Sequence, residues 1–329
     1  MGILESKSSK IPLWVINLIS IISGLATIAT SILAFVQLFL SDSSKNIVTI
    51  LLFLALIASV FFNLYLFSKI RKYVQAETIQ IREITRNMHH LLHRVRDVFF
   101  EVMHDHKKGE LNEANLSKFC KSELEKIMDN LCSTMGVYTS QKIFACIKLI
   151  TYGDSEEKID EHNATLVTFC RSEDSKHERS NYEENSKPIL LCENSDFFEV
   201  VSKDFEKTYF YQGDLIAYDR EKRKNGERYK NSNPNWEKFY RGTIVVPIRI
   251  KHNKLYHIKP SDAYHIIGFL CVDSESTEAF TKSMEKYLVD MMYAYADIIY
   301  ILLGQYRHYL KKFENNNERT GMKGESVRK

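Results

Sequence analysis

Proline, glycine and cysteine are all scarce in this chain of 329 residues, with 5, 12 and 6 copies. Such low counts exclude a collagen-like repeat, a proline- or glycine-rich low-complexity linker and a small disulfide-stapled scaffold. No two cysteines form a Cys-x-x-Cys pair, so the sequence indicates neither disulfides nor a zinc site. At about 100–200 residues per domain, the length allows two units.

The chain also lacks a large excess of charge of either sign, because 45 Lys and Arg oppose 42 Asp and Glu. Residues 1–69 contain four lysines and two acidic residues, which leaves 41 basic and 40 acidic side chains in the remaining 260. A protein that coats nucleic acid needs a basic excess to release counterions. We therefore expect no nucleic-acid partner.

Two long runs lack any charged side chain, at residues 13–40 and 47–67. A helix that crosses a bilayer needs about 20 apolar residues, and both runs are long enough. The alternatives, a core helix of a soluble protein and a cleaved signal peptide, fit less well because the apolar stretch is about twice the length of a signal core. The short connector at 41–46 makes the pair a transmembrane hairpin over 13–69.

Basic residues predict the orientation of this hairpin. They precede it and follow it, whereas the connector has a single lysine: Lys7, Lys10, Lys69, Arg71, Lys72 and, in the connector, Lys45. By the positive-inside rule we expect a multi-pass protein of the inner (plasma) membrane, with both termini cytoplasmic and the lipid bilayer as a partner.

A seven-residue apolar repeat follows the second run and predicts a coiled-coil signalling helix over 70–106. The a positions are Val74, Ile81, Met88, Val95 and Val102, and the d positions are Glu77, Ile84, Leu91 and Val98. Branched a residues favour a parallel two-stranded coiled coil, hence at least a dimer. The alternative is one amphipathic helix packed on its own domain.

Beyond residue 107 the pattern predicts an α+β domain. We expect helices near 115–135, 195–208 and 281–310, and strands at 142–151, 165–171, 243–250 and 265–273. A charged loop is expected at 172–187, and a disordered tail at 311–329. Apolar residues of the last helix could form either domain core or a second dimer interface: Tyr287, Leu288, Met291, Met292, Tyr295, Ile298, Ile299 and Leu302.

Two strand motifs in this domain resemble those of the GAF family of small-molecule sensor domains. They are Gly242-Thr-Ile-Val-Val-Pro-Ile-Arg249 and Ile267-Gly-Phe-Leu-Cys-Val-Asp-Ser274, followed by Phe280 before a long helix. The resemblance covers roughly residues 110–305 and implies a GAF-like antiparallel sheet with helices over 107–310. It also implies a ligand pocket between the sheet and the helix-loop segment that separates the two strand pairs.

Within that segment, residues 209–240 combine aromatic and basic side chains. Aromatic rings can stack on a base and guanidinium groups can grip phosphate, so we expect a small, nucleotide-type ligand here. The candidate ligand-binding residues are Tyr209, Tyr211, Tyr218, Arg220, Arg223, Arg228, Trp236 and Arg241. The alternative is a surface loop whose aromatic residues fill the core. The sequence identifies no cofactor.

No catalytic motif is found, and Cys146, Cys170 and Cys271 lie in apolar strands where burial makes a thiol inert. We therefore expect no enzyme and no metal site. The function that fits is a membrane-anchored signal receiver in which a GAF-like domain acts through a coiled coil on the hairpin. Such a fusion resembles the membrane-disrupting effectors of bacterial antiviral systems. The alternative is a membrane tether or scaffold that dimerises and recruits a partner protein.

Overall fold

The computed structural model describes residues 24, 26, 28–32, 45–108, 112–151, 162–179, 187–202, 208–233, 235–251 and 264–325. The chain divides into two compact units, Met1–Arg82 and Glu83–Lys329. Most of the first predicted span, the connector before Lys45 and the cytoplasmic start at 1–12 lie outside the described residues. The two-span hairpin therefore stays a prediction.

In the first unit, the described structure is mainly the start of helix α1, Lys45–Lys108. Large apolar side chains are exposed on all sides of this part of α1, since they occupy successive as well as helically spaced positions. They are Leu54, Ile57, Val60, Phe61, Phe62, Leu64, Tyr65 and Phe67.

Length and hydropathy across the described residues single out one segment, Lys282–Phe313, as apolar enough to cross a bilayer. In its most apolar window 44% of the residues are buried inside the protein, as in the core helix of a soluble domain. This segment is therefore weak evidence for a membrane span, and the multi-pass topology stays a prediction.

The second unit combines helices with a single antiparallel sheet, which confirms the α+β class. After the end of α1 come α2 (Glu113–Thr139), β1 (Phe144–Thr151), β2 (Thr165–Arg171), α3 (Glu173–Arg179), β3 (Ile189–Leu190), α4 (Ser195–Val201), β4 (Phe210–Gln212), α5 (Leu215–Lys224), β5 (Gly242–Lys251), β6 (Tyr264–Ser274) and α6 (Glu285–Glu325). Short 3-10 turns occupy Leu191–Glu193, Trp236–Lys238 and Lys282–Met284.

The six strands lie in the order β3-β2-β1-β6-β5-β4, and each neighbouring pair is antiparallel. The centre is the pair β1–β6, in which Cys146 lies opposite Cys271 and Leu149 opposite Gly268. Gly268 is required here, because a Cβ atom would come within 2.3 Å of the Lys148 carbonyl oxygen. The most apolar strands are thus in the middle of the sheet, where both faces are covered.

Local sequence signals account for the ends of two helices that hold this domain together. Asn112 caps α2, since its side chain accepts the N–H of Asn115 at 2.9 Å. Ser140 ends α2 in the left-handed region, at φ 57°. Asp214 caps α5 by accepting the N–H groups of Ile216 and Ala217, both at 3.1 Å. Each cap satisfies amides that have no partner inside the helix.

One face of the sheet packs against the second half of α1, α2 and α6, and we call this the first core. Its buried side chains include Leu91, Val98, Leu124, Ile127, Leu131, Ile147, Leu270, Met292, Tyr295 and Ile299. From Met88 onward the apolar side of the heptad repeat therefore packs inside the domain. This arrangement matches the alternative to the coiled coil, which is one amphipathic helix packed on its own domain. Most of the apolar stripe on α6 is likewise domain core.

The opposite face of the sheet is covered by α4, α5 and irregular chain, and we call this the second core. It contains Cys146, Ile150, Leu191, Phe197, Phe210, Leu215, Tyr229, Trp236, Val245, Phe269 and Cys271. Phe197 packs on Phe269 with ring centroids 5.0 Å apart, and Tyr229 meets Trp236 edge-on at 5.0 Å. The segments between the pair β1–β2 and the pair β5–β6 thus cover this face of the sheet.

Three expected elements differ in the structure. The helix expected at 195–208 ends at Val201, where Ser202 takes an extended conformation. The charged loop expected at 172–187 begins with helix α3, because Glu173 and Asp174 lie in its first turn, where they favour the positive end of the helix dipole. The last helix does not end near Leu310 but runs to Glu325, through most of the tail that we expected to be disordered.

Candidate functional site

Polar and ionisable side chains meet on the face of the sheet that borders the second core. We call this group the polar cluster: Cys146 and Lys148 of β1, Arg171 of β2, Cys271 and Asp273 of β6, and Asp196 of α4. Across the sheet Cys146 lies opposite Arg171 on one side and Cys271 on the other. Since alternate residues of a strand share a face, Lys148 and Asp273 fall on the same side as the cysteines.

Asp196, at the start of α4, brings a carboxyl group into the interior of the polar cluster, since only 6% of its surface is exposed. Its carboxylate accepts the N–H of Phe197 at 3.0 Å. Burial raises the pKa of Asp196 to about 7, while the positive charge of Lys148 acts in the opposite direction. Asp196 can therefore hold or release a proton near neutral pH.

The two cysteines of the polar cluster differ in acidity. A hydrogen bond from the Cys271 thiol lowers the pKa of Cys146, and Arg171 and Lys148 add to that effect. Burial and the neighbouring Cys146 raise the pKa of Cys271. Cys146 packs among the apolar side chains of the second core and also lies opposite Arg171, so the expectation that it is inert stays a prediction.

Residues 225–241, which we call the covering segment, lie over the second core and are fastened to α4. Backbone and side chain of Ser195 both bond Lys230, at 2.9 and 2.8 Å. Asn194 accepts the N–H of Ser232 at 2.9 Å. The buried Asp219 of α5 accepts the N–H of Tyr229 at 2.9 Å. These bonds hold Tyr229 and Trp236 against the sheet.

The structure separates the predicted ligand-binding aromatics into two groups. Tyr209 and Tyr211 belong to the first core, where their hydroxyls donate to Glu285 at 3.0 Å and to the Thr281 carbonyl at 2.7 Å. Tyr218 and Trp236 belong to the second core. Phe210, which lies between Tyr209 and Tyr211 in the sequence, packs in the second core, so its two neighbours face the first core. A single ligand at the second core therefore could not contact Tyr209 or Tyr211.

The four predicted arginines also differ in their surroundings. Arg223 is held by Asp219, with Nε 2.7 Å from the carboxylate. Arg241 approaches Asp214 at 4.0 Å, and its Nε atom is buried without a hydrogen-bond partner. Arg220 and Arg228 are exposed, and within the described part of the chain neither makes an ion pair. These two are the cations that remain available to a ligand.

Sequence reasoning missed Asp196, Lys148 and the thiol pair as site residues. Asp196 looked like an ordinary first-turn residue of a helix, and Lys148 like a break in an apolar strand. The available signal was the alternation along β1, where Cys146 and Lys148 share one face. Pairing of β1 with β6 depends on strand order, which no local pattern shows. In the described ranges no cluster of three His, Cys, Asp or Glu could hold a metal ion.

Comparison with known proteins gives no match to a family model and no match to a curated protein. Among solved structures the chain is similar to a type II free methionine-R-sulfoxide reductase from Thermoplasma acidophilum, at 16% identity over 58% of this chain and 96% of that one, with a TM-score of 0.34. It is similar to a far-red cyanobacteriochrome photoreceptor, at 11% identity over 64% and 96%, TM-score 0.36. It is also similar to a GAF sensor protein from Burkholderia vietnamiensis, at 14% over 58% and 94%, TM-score 0.29.

The expectation of no enzyme is contradicted, because the similar structures include a reductase. At 16% identity this similarity assigns no activity to this chain. The membrane anchor and the antiviral effector role stay predictions. What these distant comparisons add is a likeness in fold to structures that include GAF-domain sensors.

Proposed function

We propose that this chain is a membrane-anchored signal receiver whose second unit binds a small ligand at the second core. The observation that carries the proposal is the polar cluster, in which a buried carboxyl and two cations meet under the covering segment. A few convergent polar groups beside aromatic side chains are typical of small-molecule sites, and perturbed pKa values mark functional groups.

The proposed ligand is nucleotide-type, with an aromatic base and at least one phosphate. Tyr218 and Trp236 supply ring surface at the second core. Arg220 and Arg228 supply guanidinium groups that are not engaged by a carboxylate in the described structure. Both arginines lie close in sequence to buried anchors, Arg220 after Asp219 and Arg228 before Tyr229. Movement of the covering segment would bring Arg228 toward the ligand, and movement of α5 would bring Arg220.

Anchoring to a membrane is proposed from the first part of α1 together with the uncharged run at 13–40. Phe61 and Leu64 are 68% and 60% exposed, which costs free energy in water and none in hydrocarbon. With the first run as a second span, this gives the hairpin with both termini in the cytoplasm.

The route from ligand to membrane in this proposal is helix α1. Its later residues Leu91, Val98 and Val102 are buried in the first core, and the same helix begins at Lys45. Because packed cores respond by discrete shifts, a change in the domain that moves these side chains also moves the helix that carries them. Differential affinity of the ligand for the two arrangements would supply the driving free energy.

Thermal unfolding of the full-length protein in detergent tests ligand binding. The probes are AMP, GMP, ATP, GTP, cyclic AMP and cyclic GMP, each added separately. A nucleotide present at 100 times its dissociation constant stabilises the folded state by about 2.7 kcal/mol. We expect one probe to raise the melting temperature, and Arg220→Ala or Arg228→Ala to reduce that shift.

Arg307→Ala is the matched control, since Arg307 is an exposed arginine of α6 far along the chain. It should keep the full shift. If no probe moves the melting temperature, or if the Arg220 and Arg228 variants respond like the control, the nucleotide site is refuted.

A self-associating membrane tether is the second candidate. Leu92, Phe100 and Met103 are exposed on α1, on the side away from the buried Leu91, Val98 and Val102. An exposed apolar stripe of this kind favours contact with a second copy. Light scattering of the detergent-solubilised chain would show a dimer that Phe100→Glu dissociates, without any effect of nucleotides.

A further inference from the structure

Cys146 and Cys271 are partners across the central strand pair of the sheet. They are directly opposite in the antiparallel register of β1 and β6. Side chains opposite one another in such a pair have Cβ atoms about 4.5–5.5 Å apart. A disulfide requires about 3.5–4.5 Å, so a shift of the two strands on the order of 1 Å would join the sulfurs.

Their environment divides the two cysteines into a nucleophile and a partner. Cys146 lies opposite Arg171 and shares a face of β1 with Lys148, whereas Cys271 lies opposite Val245 on its other side, so the cations stabilise negative charge on the Cys146 sulfur. Cys271 keeps its proton because of burial and because Cys146 is beside it. The thiolate is the reactive form of cysteine, so oxidation should begin at Cys146.

Burial limits which oxidants can reach the pair. Cys146 is 4% exposed and Cys271 5% exposed, with Phe197 and Phe269 packed on the same face of the sheet. A peroxide is little larger than the waters that occupy protein interiors, whereas glutathione disulfide is a tripeptide dimer and cannot approach without opening the core.

We propose that Cys146 and Cys271 form a reversible redox switch that hydrogen peroxide closes into a cross-strand disulfide. This goes beyond the proposed function, because it requires no nucleotide and no membrane. In a reducing compartment a buried disulfide of this kind is transient and regulatory rather than structural. Spacing imposed by the sheet makes the bond strained, and strained disulfides are the ones that cellular reductants reverse.

The chemistry balances in two steps. The Cys146 thiolate attacks one peroxide oxygen, so an S–O bond forms, the O–O bond breaks and hydroxide leaves. The Cys271 sulfur then attacks Cys146, an S–S bond forms, the S–O bond breaks, and a second hydroxide leaves. Two protons in total, that of the Cys271 thiol and that lost from the Cys146 thiol, convert the hydroxides to water. The two sulfurs lose two electrons, and the peroxide gains them.

Peptide mapping by mass spectrometry tests the switch on the full-length, reduced protein in detergent. After hydrogen peroxide treatment and alkylation of the remaining thiols, we expect a peptide that links Cys146 to Cys271, with the loss of two hydrogen atoms. Its yield should exceed that of any other cysteine pair, because in the described sheet Cys146 and Cys271 are the cysteines that lie directly opposite one another. Dithiothreitol should remove the linkage, and oxidised glutathione should not produce it.

Single variants separate the two roles. In Cys271→Ser, Cys146 should stop at the sulfenic acid and be labelled by dimedone; in Cys146→Ser, Cys271 should not be labelled. Cys170→Ser is the matched control, because Cys170 is also buried, on β2, but lies opposite Ile147. It should leave the linkage unchanged. Alanine variants replace serine ones if the melting temperature shows that a hydroxyl is not tolerated.

Wild-type protein decides the matter without any variant. If peroxide oxidises the partly exposed Cys192 while no Cys146–Cys271 peptide forms, the proposal is overturned. A second criterion uses Cys271→Ser: equal dimedone labelling of Cys146 and Cys170 in that variant would also overturn the proposal, since their surroundings would then make no difference. Formation of the linkage by oxidised glutathione as fast as by peroxide would overturn the selection of small oxidants.

Discussion

Tyr295 of α6 donates its hydroxyl to the side-chain oxygen of Asn130 of α2 at 2.5 Å. The amide nitrogen of the same Asn130 donates to the backbone carbonyl of Asn87 in α1 at 3.2 Å. One side chain thus links the three helices of the first core. Tyr295 is fully buried, so its hydroxyl depends on this contact and on Thr134 at 3.3 Å.

Asn130→Ala should therefore destabilise the domain by about 1–3 kcal/mol, because it leaves the buried Tyr295 hydroxyl short of an acceptor. The midpoint of thermal unfolding of the full chain measures this, with about 2–4 °C expected per kcal/mol. Tyr295→Phe removes the hydroxyl as well, so the double variant should cost less than the sum of the two. Additive costs would show that the two side chains do not interact.

Glycine substitutions provide a second test, of the packing between β1 and β6. Gly268→Ala puts a Cβ atom 2.3 Å from the Lys148 carbonyl oxygen and 3.2 Å from Cα of Leu149, so the central pair must separate. We expect a loss of about 1–3 kcal/mol, as for overpacked cores. Gly304→Ala is the matched control.

Gly304 lies within α6, and a Cβ atom there meets nothing within 4 Å. Alanine at that position should stabilise the helix by about 0.5–1 kcal/mol. Thermal unfolding measures the change in stability for each variant. A loss of stability for Gly268→Ala together with a gain for Gly304→Ala would support the described register. The same sign at both would show that β1 and β6 are not paired in this way.

Much of the fold could be predicted from local patterns. Strand β2 was predicted at 165–171, as the structure has it, and β5 and β6 differ by a residue or so at their ends. Alternating apolar residues and bounding polar turns identify such strands. Short β3 and β4 escaped prediction, because strands of two and three residues form through pairing rather than through their own propensity.

The candidate site was harder to predict, because its members come together through tertiary structure. Tyr209 and Tyr211 seemed to belong with Tyr218 and Trp236, but a strand turns alternate side chains to opposite faces. Asp196 could be recognised only when α4 was placed on the sheet. The repeat in α1 fits a coiled coil and a packed amphipathic helix equally, since both bury a and d positions.

A third prediction concerns pH and Asp196. Its pKa rises from 3.8 to about 7 on folding because of burial, so between these values the folded state binds a proton that the unfolded state has lost. Stability therefore falls as pH rises from about 4 to 7 and is level above that. Asp196→Asn should remove this slope and, at pH 8, raise stability by up to a few kcal/mol.

Melting temperatures of the full chain from pH 4 to 8 give the test. Asp290→Asn is the control, since Asp290 is exposed on α6. Its profile should follow that of the wild type. If Asp196→Asn shows the same slope as the control, then Asp196 is charged in the folded state and the polar cluster is more hydrated than described.

The last prediction concerns the membrane topology. Two arginines in the second run, Phe61→Arg with Leu64→Arg, should each oppose insertion by about 2.5–3.5 kcal/mol at the centre of a helix. If 13–40 is the other span, it still inserts, and loss of the second span moves the carboxyl terminus to the outside. Alkaline phosphatase fused to the carboxyl terminus reports this in a bacterial host, because it is active only outside the cytoplasm. We expect an inactive wild-type fusion and an active double variant.

Ile79→Arg with Ile81→Arg is the matched control, since these residues are also exposed on α1 but lie beyond Lys69, Arg71 and Lys72. Their fusion should stay inactive; an active wild-type fusion, or a double variant that stays inactive, would refute the hairpin.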